Sequence, residues 1–208
     1  QIRSSAASDV YKRQLLTFYE VRTFLPHRML GVDIRLTSSD NQLVEDLINE
    51  IVPRIKKYVY GYDNDKLEQV IADLLIKNNL TVSTAESCTS GLLASRLTDV
   101  PGSSRYFKGG SVCYSNELKI NDIGIDKDLI ERYGAVSEEV AKSLAKNIAQ
   151  KNNTDLGIGI TGIAGPDGGT EKKPVGLVFV GIFYKNNLYI KKYNCLLYTS
   201  DAADDRIC

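Results

Sequence analysis

The sequence predicts an α/β protein: a layered αβα domain whose mixed sheet ends in a β-hairpin, preceded by a small α+β segment. Three observations carry this expectation. Between residues 67 and 161, stretches with helical periodicity alternate with short β-branched or glycine-laced runs, the pattern of strands joined by crossover helices. Val175–Tyr184 and Leu188–Tyr193 are β-rich runs separated by Lys185-Asn186-Asn187, which reads as an antiparallel hairpin and makes the sheet mixed. Upstream, one alternating run and one helical run stand apart from the rest, behind the polar, turn-prone Gly61–Asp65.

In chain order, residues 15–30 show no clean period. Gly31–Thr37 sets Val32, Ile34 and Leu36 against Asp33 and Arg35, the period of a half-buried strand. Thr37–Asn41 is a turn with N-cap candidates, and Leu43, Leu47, Ile48, Ile51, Val52, Ile55 and Val59 then recur at helical spacing. Pro53 falls inside that pattern and is expected to kink or divide the helix. Gly61–Asp65 reads as a linker. Leu67, Val70, Ile71, Leu74 and Leu75 form an amphipathic face that stops at Asn78-Asn79. A strand over Leu80–Thr84 and a helix over Gly91–Asp99 enclose Thr84-Ala-Glu-Ser-Cys-Thr89, a strand-to-helix turn that favours negative charge at the helix start. Pro101-Gly102 ends that helix, and Ser103–Phe107 forms a short helical turn. Gly110–Tyr114 is a strand that runs into Ser115–Lys119. Asp126–Tyr133 and Ser137–Lys151 are helices, the second with Ser137 as N-cap and Glu138 and Glu139 in its first turn. Asp155–Thr161 is a strand, and Gly162–Thr170 a Gly/Pro/Asp loop.

Composition narrows the function classes. The 208 residues are 43% hydrophobic and 25% charged, enough for a packed core. Lys plus Arg is 26 and Asp plus Glu is 26, so no basic field invites nucleic acid or anionic lipid. No apolar run reaches the roughly 20 residues that span a bilayer. The four cysteines, Cys88, Cys113, Cys195 and Cys208, form neither a metal-like pair nor a disulfide framework, which suits a reducing cytoplasm.

Both ends read as foreign. Ser4–Gln14 resembles one reading frame of a transposase sequencing adapter, and Cys195–Asp205 resembles its complementary strand. Residues 1–14 and 195–208 are therefore expected to be adapter-like, non-native segments, leaving residues 15–62 as one partial unit and 63–194 as a C-terminally truncated second domain.

The residue inventory restricts the chemistry. Gly157-x-Gly159-x-x-Gly162 satisfies the dinucleotide-binding spacing, but its glycines lie in a strand, with a loop and not a helix behind them, so the fingerprint is rejected. No Lys follows the glycines as a phosphate-binding Walker loop requires. His27 is the only histidine and precedes the linker, so neither a Ser-His-Asp nor a Cys-His arrangement can be assembled within residues 63–194, and zinc is disfavoured. If Ser87 is a nucleophile, its proton goes to Lys, Tyr or a carboxylate. Tyr114 and Lys119 are the nearest candidates by element placement. Cys88 reads as a small buried neighbour.

Five blocks carry a family resemblance: Thr84-Ala-Glu-Ser-Cys-Thr-Ser-Gly91, Pro101-Gly-Ser-Ser104, Gly109-Gly…Tyr114-Ser-Asn-Glu-x-Lys119, Gly134-Ala-Val-Ser-Glu138, and Gly162-Ile-Ala-Gly-Pro-Asp-Gly-Gly-Thr-Glu-x-Lys-Pro-Val-Gly176. Together they resemble the CinA C-terminal domain, the nicotinamide-nucleotide amidohydrolase family, over about residues 65–194. Residues 31–60 resemble the KH-like segment that precedes this domain, without the G-x-x-G loop of an RNA-binding module.

The resemblance implies hydrolysis of the carboxamide of nicotinamide mononucleotide (NMN) to nicotinate mononucleotide and ammonia, with no cofactor and no metal. Carried over residue by residue, Ser87 is the nucleophile, with Tyr114 and Lys119 handling protons. Thr84, Glu86, Cys88, Thr89 and Asn116, together with Gly162, Gly165, Pro166, Asp167, Gly168, Gly169 and Thr170, are expected to line the substrate. The Thr84–Thr89 stretch and the Gly162–Thr170 loop would hold phosphate, ribose or the oxyanion through main-chain N–H groups, with Thr84, Glu86 and Thr89 shaping the site. The expected partner is NMN or a similar small nucleotide, with no nucleic acid and no membrane; a homo-oligomer is compatible with the sequence. Two departures stand out. Ser90 replaces the second glycine of the opening motif, a strained choice if φ there is positive. The family's chain also continues past residue 194, with an Arg-bearing loop and a final helix, where adapter-like sequence begins here. The rival reading is a non-catalytic nucleotide-binding module of a larger protein.

Overall fold

A computed structural model describes residues 2–4, 22–24, 32–36, 38 and 40–195. Their contacts divide into two units, one up to Ile71 and one from Ala72 onward.

In the first unit, β1 (Ile2–Ser4), β2 (Arg22–Phe24), β3 (Val32–Arg35) and β4 (Val59–Tyr62) form an antiparallel sheet in the order β2-β3-β1-β4. Helix α1 (Asn41–Ile55) is capped by Asp40, whose carboxylate accepts from Gln42 N at 2.9 Å. Ile51 and Ile55 of α1 and Ile34 of β3 make the core. Pro53 does not divide the helix, because it lies in the last turn of α1, where a missing N–H costs one bond. Val59 is not helical as expected: the chain tightens into a 3₁₀ turn (Lys56–Tyr58) and leaves as β4. Gly61 and Tyr62 thus belong to a strand, and the expected linker shrinks to the turn that Asp65 closes on Tyr62. Most of the adapter-like residues 1–14 and 195–208 lie outside the described residues. Ile2–Ser4 and Cys195 do not; Cys195 N donates to Gly176 O at 2.7 Å.

Helix α2 (Leu67–Lys77) leads to the second unit, which is built on a five-stranded mixed sheet. Its strands are β5 (Val82–Glu86), β6 (Phe107–Val112), β7 (Leu156–Gly162), β8 (Leu177–Tyr184) and β9 (Asn187–Asn194), in the order β6-β5-β7-β8-β9. β5 runs parallel to both β6 and β7, whereas β7–β8 and β8–β9 are antiparallel. The helices are α3 (Leu92–Thr98), α4 (Asn116–Asn121), α5 (Lys127–Tyr133) and α6 (Glu138–Lys151). The expected short helical turn is confined to Ser103–Arg105, because Phe107 already belongs to β6, which ends at Val112 and leaves Tyr114 outside the expected strand.

The alternation of β5 proves the layering. Ser83 and Ala85 face α6: the Ser83 hydroxyl meets Ile148 O, and Ala85 packs with Val140, Leu144 and Ile148. Glu86 points to the opposite face and meets α3. All five residues of β5 are buried, as expected of a strand covered on both sides.

Helix α6 explains the glycines that mimic a nucleotide fingerprint. Ser137 caps it, accepting from Val140 N at 3.3 Å. Its Ala141, Ala145 and Ala149 form a ridge of small residues four apart, all buried. A Cβ at Gly157, Gly159 or Gly181 would run into that ridge; at Gly159 it would lie 2.5 Å from Ala145 N and 2.6 Å from Leu144 Cβ. Gly157 and Gly159 therefore serve close helix-on-sheet packing and not phosphate binding.

Candidate active site

The first parallel strand, β5, lies between the two that follow it, an arrangement that opens a crevice at the carboxyl ends of the strands. Ser87 is the residue that leaves β5 at this end. Its N–H donates to Ile160 O at 3.0 Å, extending the β5–β7 pairing by one residue, and its carbonyl accepts from Ser90 N at 3.1 Å. The strand runs two residues further than the sequence suggests, to Glu86, and the helix starts at Leu92. The turn Ser87–Gly91 separates them, with Ser90 at φ +50° and Gly91 at φ +92°. Both are left-handed, a conformation unfavourable for a residue with a side chain.

Lys119 reaches the serine from α4. Ser115 caps that helix by accepting from Leu118 N at 3.1 Å. Lys119 Nζ lies 3.1 Å from Ser87 Oγ, 2.9 Å from Cys113 O and 2.9 Å from Tyr114 O. The lysine is 2% exposed and the serine 6%. Burial holds the Lys119 amine below its ordinary pKa, a shift only partly offset by the neighbouring thiols of Cys113 and Cys88. Burial likewise pushes the Cys113 thiol up. A lysine depressed in this way is a candidate proton acceptor.

The other expected residues separate into groups. Tyr114 presents its main-chain oxygen to Lys119, but the residue is 67% exposed and its hydroxyl makes no hydrogen bond to Ser87 or Lys119. Its expected proton-handling hydroxyl is therefore not brought to the pair. Asn116, the exposed first residue of α4, is also not joined to it. Thr84 is fully buried, with its hydroxyl unpartnered against Gly110 of β6. Glu86, 1% exposed, accepts from Thr89 Oγ1 at 2.6 Å, Leu93 N at 3.0 Å and Ala94 N at 2.8 Å. Its carboxylate and the Thr89 hydroxyl are thus spent on the turn and not on substrate. Cys88 is half-buried, and its sulfur lies 3.0 Å from where a Cβ on Gly162 would stand.

Gly162 ends β7, and Gly165, Pro166, Asp167, Gly168, Gly169 and Thr170 follow in a loop that is exposed over most of its length. Thr170 and Lys173 exchange main-chain hydrogen bonds of 2.8 and 3.1 Å. Lys173 was not singled out by sequence reasoning. Its Nζ donates to Tyr133 O and Val136 O, both at 2.7 Å, tethering this loop to the segment before α6. Its place as the Lys of the Glu-x-Lys-Pro stretch, beside Lys172, is the sequence signal for that role. Among the described residues, no cluster of His, Cys, Asp and Glu is arranged to hold a metal ion, and no helix is long and apolar enough to cross a membrane.

Comparison with known proteins agrees with this architecture. The family model described as CinA C-terminal domain matches residues 64–202. The chain is 48% identical over 151 residues to a CinA-like protein of Dictyoglomus thermophilum, covering 73% of this chain and 37% of that protein. It therefore spans only about a third of the length of the curated relatives it matches. Among solved structures, it is similar to a competence/damage inducible protein from Agrobacterium tumefaciens, at 36% identity and TM-score 0.60 over 61% of this chain and 78% of that one. It is also similar to a competence-damaged protein (CinA) superfamily protein from Escherichia coli, at 32% identity and TM-score 0.61 over 65% and 81%. On the family match and these relatives, the chain belongs to the CinA C-terminal domain family.

Proposed function

We propose that the protein hydrolyses the carboxamide of nicotinamide mononucleotide, or of a similar small nucleotide, with Ser87 as nucleophile and Lys119 as its base. The observation that carries this reading is the 3.1 Å contact between Lys119 Nζ and Ser87 Oγ, both buried at the carboxyl end of β5. The substrate class rests on the family resemblance.

In this mechanism neutral Lys119 takes the Ser87 hydroxyl proton as Oγ attacks the carboxamide carbon. The tetrahedral intermediate collapses with cleavage of the C–N bond, and the Lys119 ammonium returns its proton to the departing nitrogen, releasing ammonia. Water then attacks the acyl-serine ester, again losing a proton to Lys119, and the ester C–O bond breaks. Ser87 recovers a proton from Lys119, and nicotinate mononucleotide leaves as the carboxylate, its acid proton passing through solvent to the released ammonia. General base assistance of this kind is worth roughly 10²–10⁴ in rate. The Gly162–Thr170 loop is assigned to the phosphate and ribose through its main-chain N–H groups. Cys88, Cys113 and Cys195 are in no disulfide, which suits a cytoplasmic setting.

The test is ammonia release from NMN by the protein and by Ser87→Ala, with calorimetry for ligand binding. The expected result is turnover that Ser87→Ala abolishes while binding persists. Full turnover in Ser87→Ala removes the serine assignment. Binding without turnover in the parent protein favours a non-catalytic nucleotide-binding module.

A further inference from the structure

We propose that Glu86 is the positioning residue for the nucleophile: its carboxylate fixes the turn that presents Ser87 and does so without pairing with Lys119. The proposal rests on the reading of Ser87 and Lys119 given above.

Helix α3 starts without a side-chain cap of its own, because Gly91 occupies the cap position. Leu92 N finds Thr89 O at 2.9 Å, but the N–H groups of Leu93 and Ala94 would go unsatisfied. Glu86 supplies the missing acceptor from the end of β5. One oxygen takes Leu93 N at 3.0 Å and Thr89 Oγ1 at 2.6 Å; the other takes Ala94 N at 2.8 Å. A single buried side chain thus ties together the strand end, the middle of the turn and the start of the helix. Ser87 is the next residue along, and the turn it begins contains two left-handed residues, Ser90 and Gly91. A turn held in that conformation needs contacts that over-determine it, and Glu86 makes three.

Charge supplies the second half of the argument. A buried carboxylate and a buried amine in one site would favour each other's charged form if they paired, and a Lys119 held as ammonium could not accept the serine proton. Among the described residues, no hydrogen bond or ion pair joins Glu86 to Lys119. The carboxylate charge is balanced by two main-chain N–H groups, a hydroxyl and the positive end of α3. Lys119 turns to two carbonyl oxygens and Ser87.

The experiment compares the protein with Glu86→Gln and Thr89→Val, each checked for folding by circular dichroism and thermal melting. It reads kcat and KM for ammonia release from NMN. Independently of that substrate, it reads the rate at which p-nitrophenyl acetate acetylates Ser87, followed by mass spectrometry. Glu86→Gln replaces one acceptor oxygen with an NH₂ group that opposes a main-chain N–H, so the turn must shift. A displacement near 1 Å at a reacting group costs on the order of 10²-fold. Glu86→Gln is expected to lower kcat about 10–10²-fold with KM held within about threefold, and to slow acetylation by the same factor. Thr89→Val, which removes one of the three contacts, is expected to fall between. Acetylation at the parent rate in folded Glu86→Gln, or a raised KM at constant kcat, overturns the proposal. If Glu86→Gln does not fold, Thr89→Val decides alone, and acetylation at the parent rate overturns it. Slowed acetylation in a protein that never releases ammonia from NMN upholds the positioning role and removes the amidase reading. No acetylation of Ser87 in the parent overturns both.

Discussion

Lys119 Nζ stands 3.1 Å from Ser87 Oγ, and its two other partners, at 2.9 Å, are carbonyl oxygens. Carbonyls only accept, so Cys113 O and Tyr114 O each claim one N–H. A neutral amine has two N–H groups and one lone pair, which leaves the lone pair facing the Ser87 hydroxyl. The same cage suits an ammonium that donates three times. The site therefore accommodates both protonation states without moving a heavy atom, which is what a group that takes and returns a proton requires.

The first prediction is a pH profile. The Lys119 pKa is lowered from 10.5 by burial, and in the proposed mechanism the neutral amine is the active form. Activity on NMN should rise with pH through that lowered value and level off below 10.5. Lys119→Met should remove the limb and about 10²–10⁴ of the rate. Stability carries the same sign. Between the lowered native pKa and 10.5 the unfolded chain binds more protons, so stability rises with pH across that window. Denaturant melts from neutral to alkaline pH should show the rise in the protein, flattened in Lys119→Met.

A second prediction separates Lys119 from Tyr114. Tyr114 meets Lys119 through its main chain, and the residue is 67% exposed. Tyr114→Phe keeps the carbonyl and loses the hydroxyl, so it should cost at least tenfold less rate than Lys119→Met, given the roughly 10²–10⁴ assigned to the base. Equal losses in kcat would show that the hydroxyl moves onto the substrate in the loaded enzyme.

Much of this arrangement was legible in the sequence, and the parts that were not share a cause. Periodicity and punctuation located every strand of the five-stranded sheet and the capped helix α6, because Ser137 and the six buried residues of that helix are local signals. The Ser87–Lys119 pair was legible through the absence of a usable histidine and the family's spacing. Glu86 was legible as a residue that shapes the site, but not how it does so, because its partners, Leu93 N and Ala94 N, are main-chain groups with no signature in the residue types. Val59 was misread as helical because Ile55 and Val59 keep the period, whereas the ladder to β1 that claims it comes from the far end of the unit. Gly157 and Gly159 have meaning only against Ala141, Ala145 and Ala149, which another element supplies.

The third prediction concerns the turn. Ser90 sits at φ +50°, which costs a residue with a side chain roughly 1–2 kcal/mol. Glycine removes that cost but gives back about 0.5–1 kcal/mol through its freer unfolded chain. Ser90→Gly should therefore stabilise by about 0.5–1 kcal/mol in urea melts. Gly91→Ala should act in the opposite sense, because φ there is +92° and the added Cβ would lie 3.3 Å from Val112 Cγ2. A stabilised Gly91→Ala would contradict the left-handed turn.

The last prediction tests the packing of α6. The sheet accepts this helix only because Gly157, Gly159 and Gly181 lie flat beneath Ala141, Ala145 and Ala149. A methyl group at Gly159 would press on the main chain at Ala145 N, 2.5 Å away, and at Ala141 O, 2.6 Å away. Neither neighbour is the flexible end of a side chain, so the whole helix must lift. Overpacking typically costs 1–3 kcal/mol, and Gly159→Ala should fall at about 2–3 kcal/mol, the upper end, because backbone cannot yield. Lifting α6 also disturbs Ala135 O, which accepts the Thr161 hydroxyl at 2.8 Å ahead of the helix, one residue before the Gly162 loop begins. The variant should therefore lose stability and weaken NMN binding together. Urea melts and calorimetry on the same preparation check both, and an unchanged midpoint would show that the helix does not rest on the glycines.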